Sequence, residues 1–237
     1  HAAGPWDPNM QHGGAPASLV VWAAERIATP APMQIARVTI DLMRPVPVAP
    51  LTLETEVLRE GRKIQLCAVR LKANGVLTVA GTVLKIRRQA QPLPDEVTEP
   101  PLDVAAPGQS REEPQNSPFG LGMTIRAARG RFGGPGPGAI WYRAERPLVA
   151  GAAISQAMRA VVASDFCNAS SALDFRYWTF LNADLNVNMA REPVGDWILL
   201  DAVSWLGPDG AGLAMARLAD GKGYFGRCTQ SLVIEKR

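Results

Sequence analysis

The chain has 237 residues, 47% of them apolar, enough to bury one large core or two modest ones. Its net charge of +3 is small for that length and its Lys and Arg residues are scattered, so no nucleic-acid footprint is expected. Three cysteines, Cys67, Cys167 and Cys228, leave one over in any pairing scheme and lack CxxC spacing, so they read as core thiols of a reducing compartment rather than metal ligands.

No apolar run approaches the roughly 20 residues of a membrane span, and the opening HAAGPWDPNM carries neither the basic nor the apolar stretch of a secretory leader. A cytoplasmic protein without a membrane span is the expectation. Along the chain, GGAPASLVVWAAERI spaces Leu19, Trp22, Ala23 and Ile27 along one stripe, which predicts an amphipathic helix opened by Gly13, Gly14 and Pro16. Four strands are predicted after it, Ile35 to Met43, Leu51 to Leu58, Ile64 to Leu71 and Val76 to Ile86, separated by RPVPVAP, REGRK and KANG. Residues 89–119, rich in Pro, Glu, Gln and Ser, have no sustained period and predict a linker.

Beyond it the same order returns. GMTIRAARGRF and AIWYRAER predict strands with RGRFGGPGPG as a hairpin loop, since those glycines are followed by no GK[ST]. ISQAMRAVVASDF predicts a second helix, and strands follow at Ala183 to Met189, Trp197 to Trp205, Gly212 to Leu218 and Tyr224 to Ile234. Arg44 set on Arg191, and Gly75 on Gly223, bring similar segments into line, so the chain reads as a duplication: an N-terminal repeat over 1–88 and a C-terminal one over 120–237. One helix followed by antiparallel strands, twice, is an α+β pattern in which a sheet curls around a helix, and a cleft between two such units is where a ligand is expected.

Alternation in LNADLNVNMA puts Asn182, Asp184, Asn186 and Asn188 on one face. Asp and Asn are poor strand formers, so such a row is either a solvated sheet surface or a site. CTQSLVI places Gln230 on a face shared with Cys228, Leu232 and Ile234, and a buried amide there needs hydrogen-bond partners, structural or catalytic. His12, beside Gly13 and Gly14, reads as a turn or capping residue or as a base, and the Gly pair as a tight turn or as backbone donors to an anion. The aromatic group Phe175, Tyr177, Trp178 and Phe180 fits core packing or the wall of an acyl channel.

Three segments, GPWDPNMQHGGAPASLVVWAAERI, TIDLMRPVPVAPLTLETEVLREGRKIQLCAVRLKANG and ADLNVNMAREPVGDWILLDAV with CTQSLVIEKR, resemble the tandem hot-dog acyl-CoA thioesterases of the thioesterase II type. The resemblance covers most of the chain outside the linker. It implies a double hot-dog fold and hydrolysis of an acyl-CoA thioester without a cofactor, by a water held between an Asp, a Ser or Thr and a Gln of the second repeat. The positions it implies are Asp184, Ser204 and Gln230; donors to the oxyanion or substrate are expected, from the residues themselves, at the helix start, at Gly13 and Gly14 beside His12. Arg37 and Thr82 stand where Asp184 and Gln230 would recur in the first repeat, so one site per chain is expected. Hot-dog hydratases use a His with a carboxylate, and their usual motif for that pair is absent here. The alternatives are a module that binds acyl-CoA or acyl chains without catalysis, and a scaffold without a ligand. A homodimer is a further implication of the resemblance.

Overall fold

The computed structural model describes residues 1–94, 97, 101–170 and 173–237. Helix α1 (Gly14–Glu25) begins at Gly13 without a side-chain cap, and Ser18 bonds back to the Gly14 carbonyl. Its buried residues are not confined to one stripe. Val20, Val21, Ala23 and Ala24 are all buried while Leu19 and Trp22 are only half-buried, because the sheet wraps one side of the helix and a second helix packs on the other.

Strands β1 (Met33–Leu42), β2 (Leu51–Glu60), β3 (Ile64–Ala73) and β4 (Val76–Arg87) follow as predicted. The β3–β4 turn is Asn74–Gly75, both at positive φ (49° and 78°), which matches the twist of a two-residue hairpin.

The second half adds β5 (Arg111–Glu112), β6 (Met123–Arg129) and β7 (Gly138–Ala144) before helix α2 (Gln156–Ser164) and the helical turn α3 (Cys167–Ser170). Five strands then close it: β8 (Trp178–Asn182), β9 (Asp184–Met189), β10 (Ile198–Leu206), β11 (Ala211–Asp220) and β12 (Gly223–Lys236). Ser155 caps α2 by accepting from the Met158 amide at 3.1 Å.

All the strands join one antiparallel sheet, ordered β2-β3-β4-β1-β9-β12-β11-β10-β7-β6-β5, with β8 paired to β12. Either side of the β1–β9 seam the order mirrors itself, β1-β4-β3-β2 against β9-β12-β11-β10. The register that sets Arg44 on Arg191 also sets Thr39 on Asn186, and those two are direct partners across the seam. The two units therefore meet about a local two-fold, which carries the sheet from one into the other and leaves neither unit an open edge there.

The segment expected to be a linker is more than a tether. Asp95, Glu96 and residues 98–100 lie outside the described residues, but 102–119 packs on the second half. Trp141 Nε1 donates to Ala105 O at 2.9 Å, Arg126 donates to Pro107 O, β5 pairs with β6, and Phe119 is buried in the main core. Pro and Glu disguise a strap whose backbone carbonyls serve side chains of the sheet. Among the described residues no helix is long and apolar enough to cross a membrane.

Candidate active site

The two helices pack side by side so that the end of α2 meets the start of α1. Asp165, the residue after α2, is 4% exposed, and its carboxylate lies at the negative pole of its own helix. Both circumstances disfavour an anion, so donors must offset them. Three do. Asn182 Nδ2 donates to Asp165 Oδ1 at 2.9 Å, His12 Nδ1 stands 2.8 Å from Asp165 Oδ2, and the positive N-terminus of α1 lies against the same group. A methyl on Gly13 would come 2.7 Å from Asp165 Oδ1, so glycine there is what lets the carboxylate reach the helix start.

His12 Nδ1 is also 3.1 Å from the Gly14 amide. One nitrogen cannot accept from Gly14 and donate to Asp165 at once, and an unprotonated Nδ1 would set a lone pair against a carboxylate at 2.8 Å. With the proton assigned to Nδ1, the imidazole donates to Asp165 and presents Nε2 away from it. Phe119 and Phe166 hold the imidazole plane, with ring centroids 4.5 and 4.4 Å away.

Gln230 is fully buried behind this pair, on the face its alternation predicts, with Cys228, Leu232 and Ile234. Its Nε2 donates to the Asp165 carbonyl at 3.1 Å and its Oε1 accepts from the Asn168 amide at 3.0 Å, so it clamps both ends of the turn from α2 into α3. Asn168 is tied in turn to Phe180 O.

Asp184 does not join it. Between the pairs Leu232↔Asn182 and Thr229↔Asn186 the register slips by one residue at Ala183, a bulge that turns the chain over. Asn182 thus points into the core toward Asp165, while Asp184 emerges on the outer face, where its oxygens accept from Asn186 Nδ2 and from the Ser231 amide. Asp184 and Gln230 lie on opposite faces of the sheet, so the expectation that they hold one water fails on geometry.

Ser204 fails on distance. It aligns with Gln230 through Ala214, Ser204↔Ala214↔Gln230, two strand spacings or about 10 Å away, and lines a separate small recess with Pro137 and Leu173. The residues missed by sequence reasoning are Asp165 and Asn168, while Asn182 was one of the polar row and was not singled out from it. The signal of the first two was SDFCN, three polar groups and a thiol at the end of a helix rich in Ala and Val.

A cavity of about 490 Å³ opens beside the dyad. His12, Asn168 and Phe166 form the part nearest the dyad, and Trp6, Gln115, Phe132, Phe175 and Phe180 contribute further wall. Cys167, near the site, is no nucleophile, because burial pushes its thiol well above the ordinary range and Cys228 beside it adds to the shift. Burial likewise pushes the Tyr142 phenol up, outweighing its bond to Ser170, so it stays neutral. Among the described residues no cluster of His, Cys, Asp and Glu is arranged to hold a metal.

The N-terminal domain model of acyl-CoA thioesterases matches residues 2–86, and the C-terminal domain model of the same enzymes matches residues 94–234. The chain belongs to the acyl-CoA thioesterase family. It is a thioesterase by that membership, and solved structures share its fold. It is similar to a hot-dog protein of Alicyclobacillus acidocaldarius (16% identity, 97% of this chain and 89% of that one, TM-score 0.77). It is also similar to the tesB protein of Mycobacterium avium subspecies paratuberculosis (17%, 98% and 91%, 0.73) and to an acyl-CoA thioesterase II of Mycobacterium marinum (14%, 95% and 89%, 0.73). No curated protein matches this chain in sequence.

Proposed function

We propose that this thioesterase is a tandem hot-dog enzyme that hydrolyses acyl-CoA with a water activated by the His12–Asp165 pair, one partner from each repeat. The observation that carries the reading is the 2.8 Å contact between His12 Nδ1 and Asp165 Oδ2 at the inner end of a cavity. Asp165 fixes the tautomer and stabilises the imidazolium, so His12 Nε2 takes a proton from water as the oxygen attacks the thioester carbonyl. Negative charge then gathers on the carbonyl oxygen, for which the Gly13 and Gly14 amides at the start of α1 are the proposed donors. Collapse breaks the C–S bond, and the proton held on His12 passes to sulfur, giving the free acid and CoA thiol. Asn182 and Gln230 are positioning residues: the first holds the carboxylate, the second holds the backbone that carries it.

The test is thiol release from an acyl-CoA panel by Asp165→Asn and Asp184→Asn. The first is expected to lower kcat by on the order of 10³–10⁴, as when a carboxylate that fixes a catalytic imidazole is neutralised, and the second to remain near wild type. The opposite pattern overturns the assignment.

A further inference from the structure

The cavity is built from an unusual selection of the chain's apolar residues. Aromatic residues make up 6% of the sequence, yet Trp6, Phe132, Phe166, Phe175 and Phe180 are five of the fifteen residues that line it. Four of the six phenylalanines of the protein are among them. No Leu, Ile, Val or Met lines it among the described residues, although these supply most of the core.

The rings stand in two groups. Phe166 and Phe132, 6.1 Å apart, continue outward from the imidazole. Trp6, Phe175 and Phe180 meet in tilted and edge-on pairs, with centroids 4.8 to 5.4 Å apart, Phe180 buried behind the half-buried Trp6 and Phe175. Phe175 is seated by the backbone: Gly133 has φ of 65°, and a Cβ there would come 2.5 Å from the Phe175 ring, so only glycine leaves room for it. The Arg237 guanidinium lies 5.3 Å from the Trp6 ring centre and covers that ring at the rim.

A straight alkyl chain gains only buried area from such walls. A flat ring gains area and, in addition, offset and edge-to-face contacts with ring faces and edges already fixed in tilted arrangements. We infer that the acyl group this enzyme accepts best is aromatic, an aroyl or arylacetyl thioester, rather than a long fatty chain. The inference rests on the proposed hydrolysis at His12 and Asp165, and it commits the same site to one substrate class.

The test is thiol release by the full chain from benzoyl-, phenylacetyl-, butyryl-, octanoyl- and palmitoyl-CoA. The expected result is a kcat/KM for an aromatic thioester about tenfold or more above that for octanoyl-CoA. Phe175→Leu and Trp6→Leu, each checked for a retained circular dichroism spectrum, are expected to reduce that ratio by about threefold or more. Octanoyl- or palmitoyl-CoA turned over as well as or better than the aromatic thioesters, or a ratio that both variants leave unchanged, overturns the substrate class while leaving the thioesterase reading intact. No release from any of the five overturns both.

Discussion

Gln230 is proposed to support catalysis without touching substrate. It is fully buried and spends both of its polar atoms on the backbone of residues 165 and 168, so removing it frees two buried backbone groups and loosens the turn that aims Asp165. Gln230→Ala is expected to lower kcat by about 10- to 100-fold with little change in KM, because a small misplacement of the base is felt in the chemical step. Steady-state kinetics with any accepted acyl-CoA reads this, and an unchanged kcat would mean that the clamp is not needed. The residue was legible in CTQSLVI because strict alternation runs unbroken from Arg227 to Glu235. Asp184 was misleading because the resemblance, and not the alternation, set it beside Gln230: it keeps the outer face that LNADLNVNMA predicts for it with Asn186, and the one-residue slip at Ala183 turns Asn182 inward instead. Asp165 escaped notice because a carboxylate beyond a helix end reads as a solvated cap, and only the contact with His12 from the first half makes it a candidate site.

At the scale of elements, close backbone approaches fix where the site stands. A methyl at Gly138 in β7 would overlap the carbonyl oxygen of Ser170, the last residue of α3, and that oxygen belongs to backbone that cannot rotate away. Gly138→Ala is expected to destabilise the protein by about 1–3 kcal/mol, as an overpacked core does, and to lower activity beyond the loss of folded protein, since α3 carries Asn168. Urea denaturation and kcat measured on the folded fraction check the two effects separately. Helices α1 and α2 and ten of the strands were readable from period and turn residues, including the Asn74–Gly75 hairpin and the loop between β6 and β7, whereas β5, β8 and the turn α3 were not. The path of residues 102–119 over the second half was not, because its attachments are backbone carbonyls offered to Trp141 and Arg126, and composition carries no trace of them.

The whole molecule is one sheet in which two units share a seam, and its stability and its chemistry draw on different parts. Asp220, whose side chain is completely buried at the end of β11, illustrates the first. Burial pushes its carboxyl up, but the Arg191 fork and the Lys222 and Val194 amides outweigh that and hold it below the ordinary carboxylate value. A group depressed in the folded state contributes stability that is complete above its unfolded pKa of about 4 and is lost as pH falls through the lower folded value. Urea midpoints taken from about pH 6 to pH 3 are therefore expected to fall more steeply for wild type than for Asp220→Asn; parallel slopes would remove this group from the acid response.

The chemistry, as proposed, depends on the two halves meeting: an imidazole ahead of α1 and a carboxylate behind α2 would act as one unit. A double-mutant cycle on kcat/KM for a turned-over acyl-CoA, using His12→Ala, Asp165→Asn and the pair together, measures that unity most directly. The combined variant is expected to be no slower than the slower single variant, because either change alone dismantles the unit. Losses that multiply would contradict the account.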